Sequence, residues 1–133
     1  KEKSFFDSGM WRLELTAQNH DMAATQFLVL LKPGHKNNAA MPQHHPVKSP
    51  DVAGVQVGQK VIVFVPKKQN TQFSYGVSTR GDSSHIIFGL PENRSAVIRV
   101  NGKEFQKNIT AAGILRFETK KLLSVPITVH ITA

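Results

Sequence analysis

A period of two dominates the pattern of apolar and polar positions. In Trp11-Arg12-Leu13-Glu14-Leu15-Thr16 every second side chain is apolar, the signature of a strand with one buried face. Phe27-Leu28-Val29-Leu30-Leu31 and Val61-Ile62-Val63-Phe64-Val65 are unbroken apolar runs of strand length. The second is β-branched and ends at Pro66, so both are read as central strands covered on both faces. Further strands are expected at 53–57, 72–79, 84–90, 95–101, 103–109, 114–118 and 126–132.

Two dipeptides set registers. Asn101-Gly102 suits a type I′ turn, which needs positive φ at both central residues. That turn places Val100 opposite Lys103, Arg99 opposite Glu104 and Ile98 opposite Phe105. One face of the hairpin then carries a charge pair and the other an apolar pair. Gly58-Gln59 suits a type II′ turn, with Val57 opposite Lys60 and Val55 opposite Ile62. No stretch of about ten residues carries a helical period. The segment Pro33–Asp51, with Pro33, Pro42, Pro46 and Pro50, is read as one long loop. These signals predict a single all-β domain over residues 1–133, an antiparallel β-sandwich of roughly nine or ten short strands. Trp11, Leu13, Leu15, Val55, Ile62, Ile98 and Phe105 are expected in its core.

Composition narrows the function classes. The 133 residues are 40% apolar, which suffices for a packed core. No apolar run approaches the roughly 18–20 residues that span a bilayer, and no membrane partner is expected. Cysteine is absent, which excludes disulfides, thiolate zinc sites and cysteine nucleophiles. Seventeen Lys and Arg against nine Asp and Glu leave a net charge of +8. Such a field favours polyanions: nucleic acid, an acidic membrane surface or an acidic polysaccharide.

Candidate chemistry is sparse. No two acids form a recognisable acid/base pair, no serine sits in a nucleophile elbow, and no glycine loop resembles a phosphate cradle, so no catalytic residue is assigned. His35, His44 and His45 share the long loop, but adjacent histidines point apart in extended chain and the short spacing of zinc motifs is missing. No metal or other cofactor is expected. His20, His85 and His130 are read as ordinary surface or strand residues. Tyr75 and Phe73 alternate with polar neighbours as core aromatics do. Arg80-Gly81-Asp82 is read as turn chemistry between two strands. No RRM, helix-turn-helix or zinc-finger signature appears, so nucleic acid is not the expected partner. Lys67, Lys68, Lys120 and Lys121, paired beside strand ends, are the leading polyanion contacts, followed by Arg99 and Lys103.

An ordered string of segments carries a resemblance. It runs from Trp11–Leu15 through Asp21 and Phe27–Leu31 to Ala53-Gly54-Val55-Gln56-Val57-Gly58-Gln59-Lys60-Val61-Ile62-Val63-Phe64. It continues with His85–Pro91, Ala96–Gly102 and Ala112-Gly113-Ile114-Leu115-Arg116-Phe117. This string resembles the C-terminal β-sheet region of heparinase II/III-like polysaccharide lyases, over most of residues 10–118. The resemblance implies bacterial enzymes that act on acidic polysaccharides such as glycosaminoglycans or alginate. Their eliminating residues and metal-binding histidines lie in a helical toroid and a central β region, and none of these matches a position here. It therefore implies a non-catalytic accessory or C-terminal domain of a secreted or periplasmic lyase, with acidic polysaccharide and the lyase's own catalytic domains as partners. Lys1 follows no initiator Met and no apolar leader, as expected of a processed chain or a piece of a longer one. The alternative is a free-standing carbohydrate- or protein-binding sandwich. A third class, a small polyanion-dependent enzyme, lacks its motif.

Overall fold

A computed structural model of the chain describes residues 29–30, 43–66, 71–78, 80–120 and 126–132. These residues form nine strands and no helix. In chain order they are β1 (His44–Pro46), β2 (Ala53–Val57), β3 (Lys60–Phe64), β4 (Gln72–Tyr75) and β5 (Ser83–Phe88). β6 (Ser95–Val100), β7 (Lys103–Asn108), β8 (Leu115–Thr119) and β9 (Ile127–Thr132) follow. A five-stranded sheet runs β1-β2-β3-β5-β8 and a four-stranded sheet runs β4-β9-β6-β7. All neighbours are antiparallel except β3 and β5. That parallel pair arises because β4 lies in the other sheet, so the chain leaves the first sheet and re-enters it in the same direction.

The sheets pack face to face as a sandwich. Val61, Val63, Ile87, Leu115 and Phe117 of the first sheet meet Phe73, Ala96, Ile98, Ile127 and Val129 of the second in one buried cluster. Alternation is strict where it matters. β5 buries Ser83, His85 and Ile87, and β9 buries Ile127, Val129 and Ile131.

Both turns close as their chemistry requires. Asn101 and Gly102 have φ of 50° and 74°, and the pairings Val100–Lys103, Arg99–Glu104 and Ile98–Phe105 all occur. Arg99 and Glu104 form an exposed ion pair, while Ile98 is buried and Phe105 packs half-buried on the core. Gly58 has φ of 58°, and Val57–Lys60 and Val55–Ile62 pair.

The facing of that second hairpin differs from expectation. Gly54, Gln56, Val61 and Val63 point inward, so Val55 and Ile62 lie half-buried on the outer face, and the run 61–65 is fully covered on one face only. Phe64 is 39% exposed and stacks on Phe88, with ring centroids 5.2 Å apart. Two contacts fix this phase. A Cβ at Gly54 would lie 2.6 Å from the Ile62 carbonyl oxygen, so the close approach there admits only glycine. Gln56 is buried and bonds both ways with Ser78: Nε2 donates to its carbonyl at 2.8 Å, and its N–H donates to Oε1 at 3.1 Å.

Two further expectations change. The loop over Pro33–Asp51 contains β1, which adds to β2 by backbone pairing. Of the run Phe27–Leu31, the described residues Val29 and Leu30 belong to no strand and are 44% and 37% exposed. Trp11, Leu13 and Leu15 lie outside the described residues.

Candidate functional site

Two edges of the sandwich contrast. On one side the sheets are joined by backbone: the Lys48 N–H donates to the Gly76 carbonyl at 3.1 Å, and the Gly76 N–H donates to the Lys48 carbonyl at 2.8 Å. On the other side the edge strands β7 and β8 approach without pairing, and an open groove lies between them. Phe105 and Phe117 meet edge to face at its base, with ring centroids 5.8 Å apart. Lys107 and Gln106 of β7 line one wall, and Arg116, Glu118 and Lys120, on or just beyond β8, line the other. The groove encloses about 730 Å³, within the roughly 300–1,000 Å³ usual for ligand sites.

Strand parity explains the lining. Phe105 and Lys107 are two apart on β7 and pair with Ile98 and Ala96, whose side chains are buried. Lys107 therefore lies on the interior-facing side of an edge strand, where it stays exposed and its ammonium reaches water. On β8, Leu115, Phe117 and Thr119 are buried, which puts Arg116, Glu118 and Lys120 on the exposed face in one row. A second depression, lined by Lys60, Asp82, Ser83 and Thr119, shares Ser84, Glu118 and Lys120 with the groove.

Under that depression lies a buried polar chain. Tyr75 Oη of the second sheet is 3.0 Å from His85 Nδ1 of the first. His85 Nε2 is 2.9 Å from Ser83 Oγ and 3.1 Å from Thr119 Oγ1, and those hydroxyls are 2.6 Å apart. The imidazole stacks on Phe117 with ring planes 2° apart. Burial lowers the His85 pKa to about 4 and pushes the Tyr75 phenol above its ordinary value. A neutral imidazole satisfies both ends: with the proton on Nε2, Tyr75 donates to Nδ1 and Nε2 donates to the hydroxyls. A serine beside a histidine suggests a nucleophile, yet all four side chains are 5% exposed or less. This chain of bonds ties the two sheets together, with Tyr75 on one and His85, Ser83 and Thr119 on the other.

Of the residues expected to hold a polyanion, Lys120 lies in the groove. Arg99 is exposed on the outer face and engaged by Glu104, and Lys103 is exposed at the turn end of β7. The structure does not bring these two into the groove. Lys67, Lys68 and Lys121 lie outside the described residues, as does His35. His44 and His45 follow one another on β1, both exposed, and no group of three metal-ligating side chains occurs among the described residues. Lys107 and Arg116 complete the groove's cations and stand outside the set expected from the sequence. The Asn101-Gly102 register was the available signal for Lys107, and the alternation of 115–119 was the signal for Arg116.

No family model matches the chain, and no curated protein matches it. No helix among the described residues is long and apolar enough to cross a membrane.

Proposed function

We propose that this chain is a non-catalytic accessory β-domain of a heparinase II/III-like lyase, and that it holds acidic polysaccharide by charge beside the lyase's catalytic domains. The observation that carries the reading is the disposition of charge. All nine Lys and Arg among the described residues are exposed, against five acids, on a scaffold of nine strands. An array of unburied cations attracts a polyanion without a shaped pocket, by long-range attraction and counterion release. The segments that carry the family resemblance support the reading further: within the described residues they fall on β2, β3, β5, β6 and β8. A secreted or periplasmic setting belongs to the same proposal.

The 133-residue chain is expected to stay on immobilised heparin at low salt and to elute at moderate salt, because the Debye length is only about 8 Å at physiological ionic strength. Incubation with heparin, chondroitin sulfate or alginate is expected to give no unsaturated product by ultraviolet absorbance. β-Elimination needs a base at C5 and an acid at the leaving oxygen, and no accessible pair among the described residues is arranged to supply both. Failure to bind at low salt removes the glycan role, and robust cleavage that survives repurification removes the accessory one.

A further inference from the structure

We propose that the open groove between β7 and β8 is where the acidic polysaccharide is held, with Arg116, Lys107 and Lys120 each engaging a carboxylate or sulfate. The inference rests on the polyanion reading above and gives it a location. Three features single out this groove. It is the side of the sandwich left open, whereas the opposite side is closed by the Lys48–Gly76 backbone bonds. It gathers three exposed cations from both sheets, while among the described residues the depression on the closed side holds Lys48 alone of the lysines and arginines. Its base is the Phe105–Phe117 pair, a low-dielectric floor that strengthens charge pairing above it.

The spacing selects the ligand. Arg116 and Lys120 are four residues apart along one face, roughly 13 Å at about 3.3 Å per residue. Glu118 stands between them. Its carboxylate repels a third anion at the midpoint, so the row fits a chain with separated charges better than a dense cluster. Arg116 offers a planar fork that grips two oxygens of one carboxylate or sulfate. Phe117 is 4% exposed and Phe105 is half-buried against it, so the groove offers little aromatic surface for base stacking. That favours a glycan over single-stranded nucleic acid.

The test is calorimetric titration of the full chain with a heparin tetrasaccharide and, separately, with oligo(dT). Arg116→Gln and Lys107→Gln are each expected to weaken heparin binding about tenfold, the loss of one charge-assisted hydrogen bond. Lys48→Gln removes the same charge on the closed side and is expected to cost about twofold at most. Arg116→Lys keeps the charge but loses the fork and should fall between these limits, and Glu118→Gln should tighten binding. Far-ultraviolet dichroism of each variant checks the fold. If the wild-type chain binds heparin and Arg116→Gln weakens it no more than Lys48→Gln does, the groove assignment is overturned while the polyanion reading stands. If the wild-type chain does not bind heparin, the polyanion reading itself fails. Binding of oligo(dT) that is tighter than heparin and lost on Arg116→Gln overturns the glycan as occupant.

Discussion

His85 sits fully buried between Tyr75, Ser83, Thr119 and the ring of Phe117, and its neutrality is part of the fold. Its folded pKa of about 4 lies below the ordinary 6.5, so the unfolded chain takes up this proton first as pH falls. The contribution to stability is complete above about pH 6.5, drains away between there and pH 4, and amounts to roughly 3 kcal/mol. Urea unfolding at a series of pH values should show that slope, and His85→Gln should flatten it. The hydroxyl of Tyr75 can be tested alone. Tyr75→Phe keeps the ring in place but leaves Nδ1 facing an apolar surface, at a cost of about 1–3 kcal/mol in the same measurement. Nothing in the sequence around His85 distinguishes it from an ordinary strand histidine, because Ser83 is its one near partner in sequence and Tyr75 and Thr119 come from 10 and 34 residues away. Tyr75 as a core aromatic was legible, since burial follows from parity along one strand. Its hydrogen bond was not.

Among the elements, legibility tracked whether local chemistry alone sets the geometry. The β6–β7 hairpin was readable to the residue because Asn101-Gly102 dictates the turn and the polar phase on either side agrees with it. The β2–β3 pairing was equally readable, but the buried face was not. An unbroken run such as 61–65 has no polar phase, so the choice fell to Gly54 and Gln56, whose contacts with Ile62 and Ser78 are tertiary. β1 carries no hydrophobic pattern, since its three residues are all exposed and it is defined by backbone bonds. Two glycines now make a contrasting prediction at this scale. Gly102 and Gly113 both have positive φ, 74° and 68°. A Cβ at Gly102 meets nothing within 4 Å, so Gly102→Ala should cost only the left-handed backbone strain, about 1–2 kcal/mol. At Gly113 the same atom would lie 2.4 Å from the Leu90 carbonyl oxygen, so Gly113→Ala must also force apart the Leu90 and Gly113 backbones, which are hydrogen-bonded at 3.1 Å. Thermal unfolding should rank Gly113→Ala well below Gly102→Ala, and equal midpoints would contradict the close approach.

For the whole molecule, the groove was out of reach of a linear reading. Lys107 and Arg116 belong to different sheets, and their proximity is a product of two edge strands meeting. Net charge pointed to a polyanion; it carried no address. Adjacency along the chain is what pairs lysines in the sequence, whereas the groove gathers its cations from two edge strands. The unequal sides of the sandwich have a mechanical consequence. Two sheets stitched by backbone on one margin and touching through aromatic rings on the other form a book with a spine, free to part along the unbound margin. Slow opening should therefore begin at β7 and β8, and their edge amides should exchange with deuterium sooner than those of Lys48 and Gly76. An anionic chain gripped from both covers at once, by Lys107 on one and Arg116 on the other, would act as a clasp. Saturating heparin tetrasaccharide should then raise the unfolding midpoint in proportion to RT ln(1 + [L]/Kd) and slow exchange along that margin, leaving the spine unchanged.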